Sequence, residues 1–228
     1  MLRRELENNF QILSVDLPDH GKSQFTDSFS YQHYAHLIIA LLDELDIRQP
    51  SIVGHSMGGK VAMTMALAYP DRIVSLVLLD IAPVAYQPGH TNVFEGLNNI
   101  KLATLSERRQ ADEILARTID EPGVRQFLLK SLYQADNKWH WRFNLELLYR
   151  DYAKLSAAIV SSQAYKGPTL FVKGEHSDYL KSEYRNAVLA LFPSSTSKLV
   201  GGTGHWLHAE KPAVCGRIIT DFLSAQKN

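Results

Sequence analysis

The chain has a single cysteine, Cys215, in 228 residues, so no internal disulfide can form. That suits a reducing compartment. Neither sign of charge is in excess, since Lys plus Arg and Asp plus Glu each number 24. A balance of this kind favours neither nucleic acid nor an anionic membrane surface as partner, and a small molecule is expected instead. No uninterrupted apolar run reaches the ~20 residues that a bilayer-crossing helix needs. The opening Met1–Phe10 carries charge but no apolar core of a secretion signal. A soluble, cytoplasmic protein is the expectation. Internal repeats and low-complexity tracts are also missing. What is present is 45% hydrophobic and 21% charged residues, an ordinary composition for one large domain or a domain with an insertion.

Along the chain, short apolar runs alternate with helical patterns. Gln11–Pro18 reads as a strand, Asp19–Ser23 as a turn, and Tyr31–Ile47 as a helix with Leu37, Ile38, Leu41, Leu42 and Leu45 on one face. Ser51–Ser56 reads as strand and turn, Gly58–Pro70 as a helix, and Arg72–Pro83 as a further strand. Continuous apolar strands between helices predict a mostly parallel central sheet with helices on both faces. From Val84 to Lys166 the strand-like runs cease, and helical stretches with interspersed aromatics predict an inserted helical cap. Residues 1–83 and 167–228 are then the core and 84–166 the cap. Alternation resumes after Gly167 and ends in a helix containing Cys215, where a packed thiol is expected.

Gly54-His55-Ser56-Met57-Gly58 fits the pattern G-x-S-x-G, with a strand before it and a helix after it. Such a turn lifts the serine hydroxyl above the sheet, and glycines on either side are expected to relieve collisions. The following helix directs its free N–H groups to the same place, so Met57 N–H can donate to an oxyanion. A serine needs a base to take its proton. His205, in the loop between the last strand and the last helix, fits that role, with His208 as its rival in the same loop. His20 either lines a pocket or occupies a surface turn, and His55 is expected to be packed or hydrogen-bonded. For the acid that orients the base, Asp80 and Asp178 both follow strands, and position alone does not choose between them.

The segments "DLPDHGKS", "GHSMGG", "LLDIAP", "FLLKSL" with "WRFN", and "GHWLHAEKP" together resemble the α/β-hydrolase superfamily and, within it, the bacterial YbfF-type esterases. The resemblance spans nearly the whole chain. It implies the α/β-hydrolase fold and a carboxylic ester hydrolase without metal or cofactor, acting on a small-molecule ester or an acyl-CoA thioester. Ser56 matches the nucleophile and His205 the base. Ser177 stands where many members place the acid, and in the YbfF-like group the implied acid is the "DIAP" aspartate, Asp80, with Asp178 the alternative. An aspartate replaces the serine in similar haloalkane dehalogenases, which makes that activity unexpected. No H-G-x-x-G loop precedes the first strand, so the chain is expected to lack N-terminal strands and one oxyanion donor. A catalytically weak ligand-binding relative is the rival reading, and a carbon–carbon bond hydrolase or perhydrolase would use the same residues. The cap is expected to shape the acyl pocket, with His55, Trp206, Trp139 and Trp141 as substrate-binding candidates. Arg125 and Arg142 either meet an anionic group or are solvated.

Overall fold

A computed structural model describes residues 2–87 and 89–226; Met1, Pro88, Lys227 and Asn228 lie outside the described residues. Runs rich in Val, Leu and Ile become strands, and longer runs rich in Ala, Leu and Met become helices, as their backbone preferences dictate. In chain order these are α1 (Leu2–Leu6), α2 (Tyr31–Glu44), β1 (Ser51–His55), α3 (Met57–Ala68) and β2 (Ser75–Leu79). Then follow α4 (Thr91–Asn99), α5 (Arg108–Leu115), α6 (Pro122–Leu129), β3 (Leu132–Ala135), β4 (Lys138–Trp141), α7 (Leu145–Arg150) and α8 (Tyr152–Ser156). The last elements are β5 (Thr169–Gly174), α9 (Arg185–Leu191), β6 (Ser195–Val200), α10 (Leu207–Glu210) and α11 (Pro212–Ser224).

β1, β2, β5 and β6 make one sheet in that order, with every pairing parallel. The register sets His55 opposite Leu79 and Leu79 opposite Val172, which brings the carboxyl ends of β1 and β2 level while β5 runs on to Gly174. All five residues of β2 are buried, as its continuous apolar run requires of a strand covered on both faces. Val77, Leu79, Leu170, Val172 and Val200 pack with Leu6 of α1 and with Cys215, Ile219 and Leu223 of α11. α3 packs on β1 and β2, and α2 packs on α3.

The chain divides into two compact units. One holds the sheet, with the residues up to Val15, Ser30–Ala85 and those from Ala157 onward; the other holds Asp16–Phe29 and Tyr86–Ser156. These bounds differ from the division at 84 and 166 read from the sequence, for two reasons. Buried Lys60 donates from Nζ to the carbonyls of Val84 (3.1 Å) and Ala157 (2.5 Å), and Ile159 N–H donates to Pro83 O (3.0 Å), which keeps both chain ends with the sheet. Asp19, fully buried, accepts from Thr26 N–H (2.7 Å), the Thr26 hydroxyl (2.6 Å) and Asn144 Nδ2 (2.8 Å), which fastens the first stretch of the second unit to the later one.

The second unit is not purely helical. β3 and β4 form an antiparallel hairpin, and Asp136 and Asn137 at its tip have φ of 49° and 59°, the left-handed pair of a tight hairpin turn. Its core gathers Leu97, Ala111, Leu115, Leu129, Leu132 and Trp141. The strand expected over Gln11–Pro18 is also absent: residues 11–17 pair with no strand, and Leu13 and Val15 remain 46% and 36% exposed. Apolar alternation marks a strand only where a ladder partner exists, and among the described residues none lies beside this segment. No helix among the described residues is long and apolar enough to cross a membrane.

Candidate functional site

Ser56 sits between β1 and α3 with φ 53° and ψ −121°, a backbone conformation that L residues rarely adopt. Its N–H donates to Leu79 O (3.2 Å), and its own carbonyl accepts from Gly59 N–H (2.9 Å), so the turn is fastened on both sides. A Cβ on Gly54 would stand 2.5 Å from the Gly58 carbonyl oxygen, which explains that glycine. Gly58 has open space where its Cβ would be, contrary to the expected steric reason for both flanking glycines. The crowded position is Gly59, whose Cβ would meet Ile81 Cγ2 at 2.5 Å. Met57 opens α3, and N–H groups in a first helical turn have no intrahelical acceptor.

Asp80 follows β2 with φ 51° and is fully buried, its N–H donating to Val172 O (2.8 Å). A buried carboxylate must find donors for both oxygens. Oδ1 accepts from Gly174 N–H (3.0 Å), and Oδ2 accepts from the Ser177 hydroxyl in a close contact and lies 2.8 Å from His205 Nδ1. Because a carboxylate only accepts, Nδ1 carries the imidazole proton and Nε2 presents a lone pair. That lone pair lies 3.1 Å from Ser56 Oγ and receives the hydroxyl proton's hydrogen bond. The arrangement can take a proton from Ser56 and hold the resulting imidazolium against Asp80. Asp178 is placed elsewhere: its side chain is 89% exposed and pairs with Lys181 (3.3 Å).

The imidazole of His205 is flanked by aromatic rings. Tyr179 stacks on it with centroids 4.0 Å apart, and His55 lies at 4.6 Å and Trp206 at 5.5 Å. His55 Nε2 is 2.8 Å from the main-chain oxygen of His205. Burial, reinforced by the neighbouring His208 and His205, pushes His55 down to about 3, so its ring is neutral at physiological pH. Burial lowers His208 as well, and its buried Nδ1 has no hydrogen-bond partner among the described residues. Among the described residues no group of three His, Cys, Asp or Glu is placed to hold a metal ion.

Trp139, Trp141, His20, Arg125 and Arg142 belong to the second compact unit. Trp139 and Trp141 belong to β4 of the second unit, where Trp141 is buried and stacks on Phe143 at 5.1 Å. His20, in the same unit, has Nδ1 3.0 Å from Pro18 O. Arg125 pairs with Asp112 (3.0 Å) and donates to the Ile119 and Asp120 carbonyls, and Arg142 lies over the Tyr133 ring at 4.3 Å. Cys215 is a buried thiol whose pKa burial raises to about 11. Sequence reasoning missed the parts of Ser177, Gly174 and Tyr179. Gly174 and Ser177 did carry a signal, a glycine followed three residues later by a hydroxyl where the resemblance leads one to expect a carboxylate; Tyr179 had none.

An α/β-hydrolase fold model matches residues 2–212. The chain is 36% identical over 225 residues to esterase YbfF of Escherichia coli strain K12, an alignment covering 98% of this chain and 87% of that one. It is 35% identical over 222 residues to the sn-1-specific diacylglycerol lipase ABHD11 of Mus musculus, covering 94% of this chain and 72% of the other. A solved marine microorganism esterase superposes with a TM-score of 0.94 at 30% identity, covering 97% of this chain and 88% of its own. Likeness of this order in sequence and backbone over nearly the full length reflects one shared architecture, and the chain belongs to the α/β-hydrolase family.

Proposed function

We propose that the chain is a carboxylic ester hydrolase working through an acyl-enzyme on Ser56. The observation that carries the reading is the unbroken run from Ser56 Oγ to His205 Nε2 (3.1 Å) and from His205 Nδ1 to Asp80 Oδ2 (2.8 Å). The relatives named as esterases and lipases support the same chemistry. In the first half, Ser56 Oγ bonds to the ester carbonyl carbon while its proton passes to His205 Nε2. The Met57 N–H donates to the oxyanion, and His205 returns the proton to the departing alkoxide oxygen as the C–O bond breaks. In the second half a water repeats the attack on the acyl-enzyme, releasing the acid and restoring Ser56. A thioester passes through the same steps with a thiolate as leaving group.

A fluorophosphonate probe and a p-nitrophenyl ester test this reading. The wild-type chain is expected to be labelled and to hydrolyse the ester, and Ser56→Ala to do neither. Absence of labelling on a folded wild-type chain, or labelling that persists in Ser56→Ala, would overturn it.

A further inference from the structure

His55 occupies the variable position of the serine motif, and no step of the proposed reaction uses it. Its place is nevertheless specific. Nε2 lies 2.8 Å from the main-chain oxygen of His205, a contact between residues 150 positions apart. A carbonyl oxygen only accepts, so Nε2 is the protonated nitrogen. The bond fastens the end of β1, one residue before the nucleophile, directly to the loop after β6 that carries the base. Its ring also packs at 4.6 Å from the His205 ring and 5.3 Å from that of Trp206.

We propose that His55 is a positioning residue whose Nε2–H holds the His205 main chain and whose ring walls one side of the imidazole, keeping the base aimed at Ser56. The inference rests on the reading of Ser56, His205 and Asp80 given above. His205 is then gripped at three places: Nδ1 by Asp80, one ring face by Tyr179, and the main chain by His55. The neutrality of His55 belongs to this role. A second positive charge at 4.6 Å would oppose the charging of His205 when it takes the serine proton. Burial, with His208 and His205 close by, keeps that charge away.

Two substitutions separate the bond from the ring. His55→Phe keeps an aromatic wall and removes the N–H donor, whereas His55→Gln supplies an N–H from a side chain of similar reach. His55→Phe is expected to lower kcat about tenfold with KM within about twofold, the scale of one lost hydrogen bond expressed in the transition state. His55→Gln is expected to hold kcat within about threefold of wild type. Nitrogen-15 NMR of the wild-type histidines is expected to show His55 neutral and protonated at Nε2 from pH 5 to 8. Wild-type kcat in a folded His55→Phe, a tenfold loss in a folded His55→Gln, or an Nδ1-protonated His55 overturns the inference. Should the phenylalanine variant not fold, the glutamine variant and the NMR tautomer still decide it. Persisting ester hydrolysis in Ser56→Ala would instead sink the triad reading and with it the catalytic part of the inference, leaving only the hydrogen bond from His55 to the His205 main chain, which the tautomer measurement tests separately.

Discussion

Both aspartates considered for the acid follow strands at the same edge of the sheet, and what separates them is the backbone and the donors around each carboxylate. Asp80 turns at φ 51°, is fully buried, and shares its oxygens among Gly174 N–H, the Ser177 hydroxyl and His205. Asp178 faces solvent and pairs with Lys181, an exposed ion pair of little energetic weight. On the proposed triad an asparagine at position 80 would retain the shape but neither stabilise the imidazolium nor fix its tautomer, so Asp80→Asn is expected to lower kcat by about 10⁴-fold. Asp178→Asn is expected to stay within about twofold of wild type, since it touches neither His205 nor Ser56. Steady-state kinetics on one p-nitrophenyl ester decide the matter, and the reverse pattern would move the acid to Asp178.

At the level of elements, α3 is informative because it is buried from Gly59 to Leu67, including the lysine at its second turn. A helix enclosed on all sides has to satisfy any polar side chain locally. Lys60 does so on the carbonyls of Val84 and Ala157, and its ring neighbour Tyr31 lies 5.9 Å from Nζ. Burial pushes Lys60 down to about 8 from an ordinary value of 10.5. The sign follows from proton counting: between about pH 8 and 10.5 the unfolded chain holds a proton the folded chain has released, so stability rises with pH across that window. Urea unfolding of wild type and Lys60→Met, at pH 7 and at pH 9.5, is expected to show the difference moving in the wild type's favour at the higher pH. A difference that is flat with pH would mean that the amine is not held in a desolvated place. The same elements show what a sequence can reveal. β2 and α3 were legible because their burial is complete, which leaves continuous apolar runs bounded by Pro and Gly. The segment 11–18 has an equally good pattern, but a strand needs a partner that no single segment encodes. The hairpin of β3 and β4 was hidden because its aromatic residues read equally well as a helical surface, and its one clear mark, Asp136-Asn137, is a weak turn signal without a glycine. The flanks of Ser56 and His205 single them out as candidates in the sequence and the resemblance adds Asp80, whereas the contacts of Asp80 with Ser177, and of Tyr179 with His205, depend on distances between loops that are far apart in the chain.

The second unit is discontinuous in sequence, and Asp16–Phe29 must find Tyr86–Ser156 across the intervening residues 30–85, which carry β1 and β2. Closing such a distance costs chain entropy, so the contacts that join the two stretches have to be specific. Asp151 supplies one. Its carboxylate accepts from Phe29 N–H (2.9 Å) and pairs with Lys154 (3.2 Å), while Arg150, the other cation beside it, donates to Asp27 O (2.6 Å). The Phe29 N–H, followed by the Arg150 side chain, holds Asp151 down at about 2, below its ordinary 3.8. A carboxylate with a depressed folded-state pKa contributes stability above its unfolded value, and that contribution disappears as pH falls from about 4 through about 2. Asp151→Asn should therefore be less stable than wild type at pH 6, and the gap should narrow as the pH falls toward 2.5. Amide hydrogen exchange gives the location: in Asp151→Asn at pH 6 the loss of protection should concentrate in 26–30 and 145–156, with the amides of β2 and β5 unchanged. Loss spread evenly over the sheet would show that Asp151 does not act through the join between these two stretches, and a gap independent of pH would show that its charge is not what it contributes.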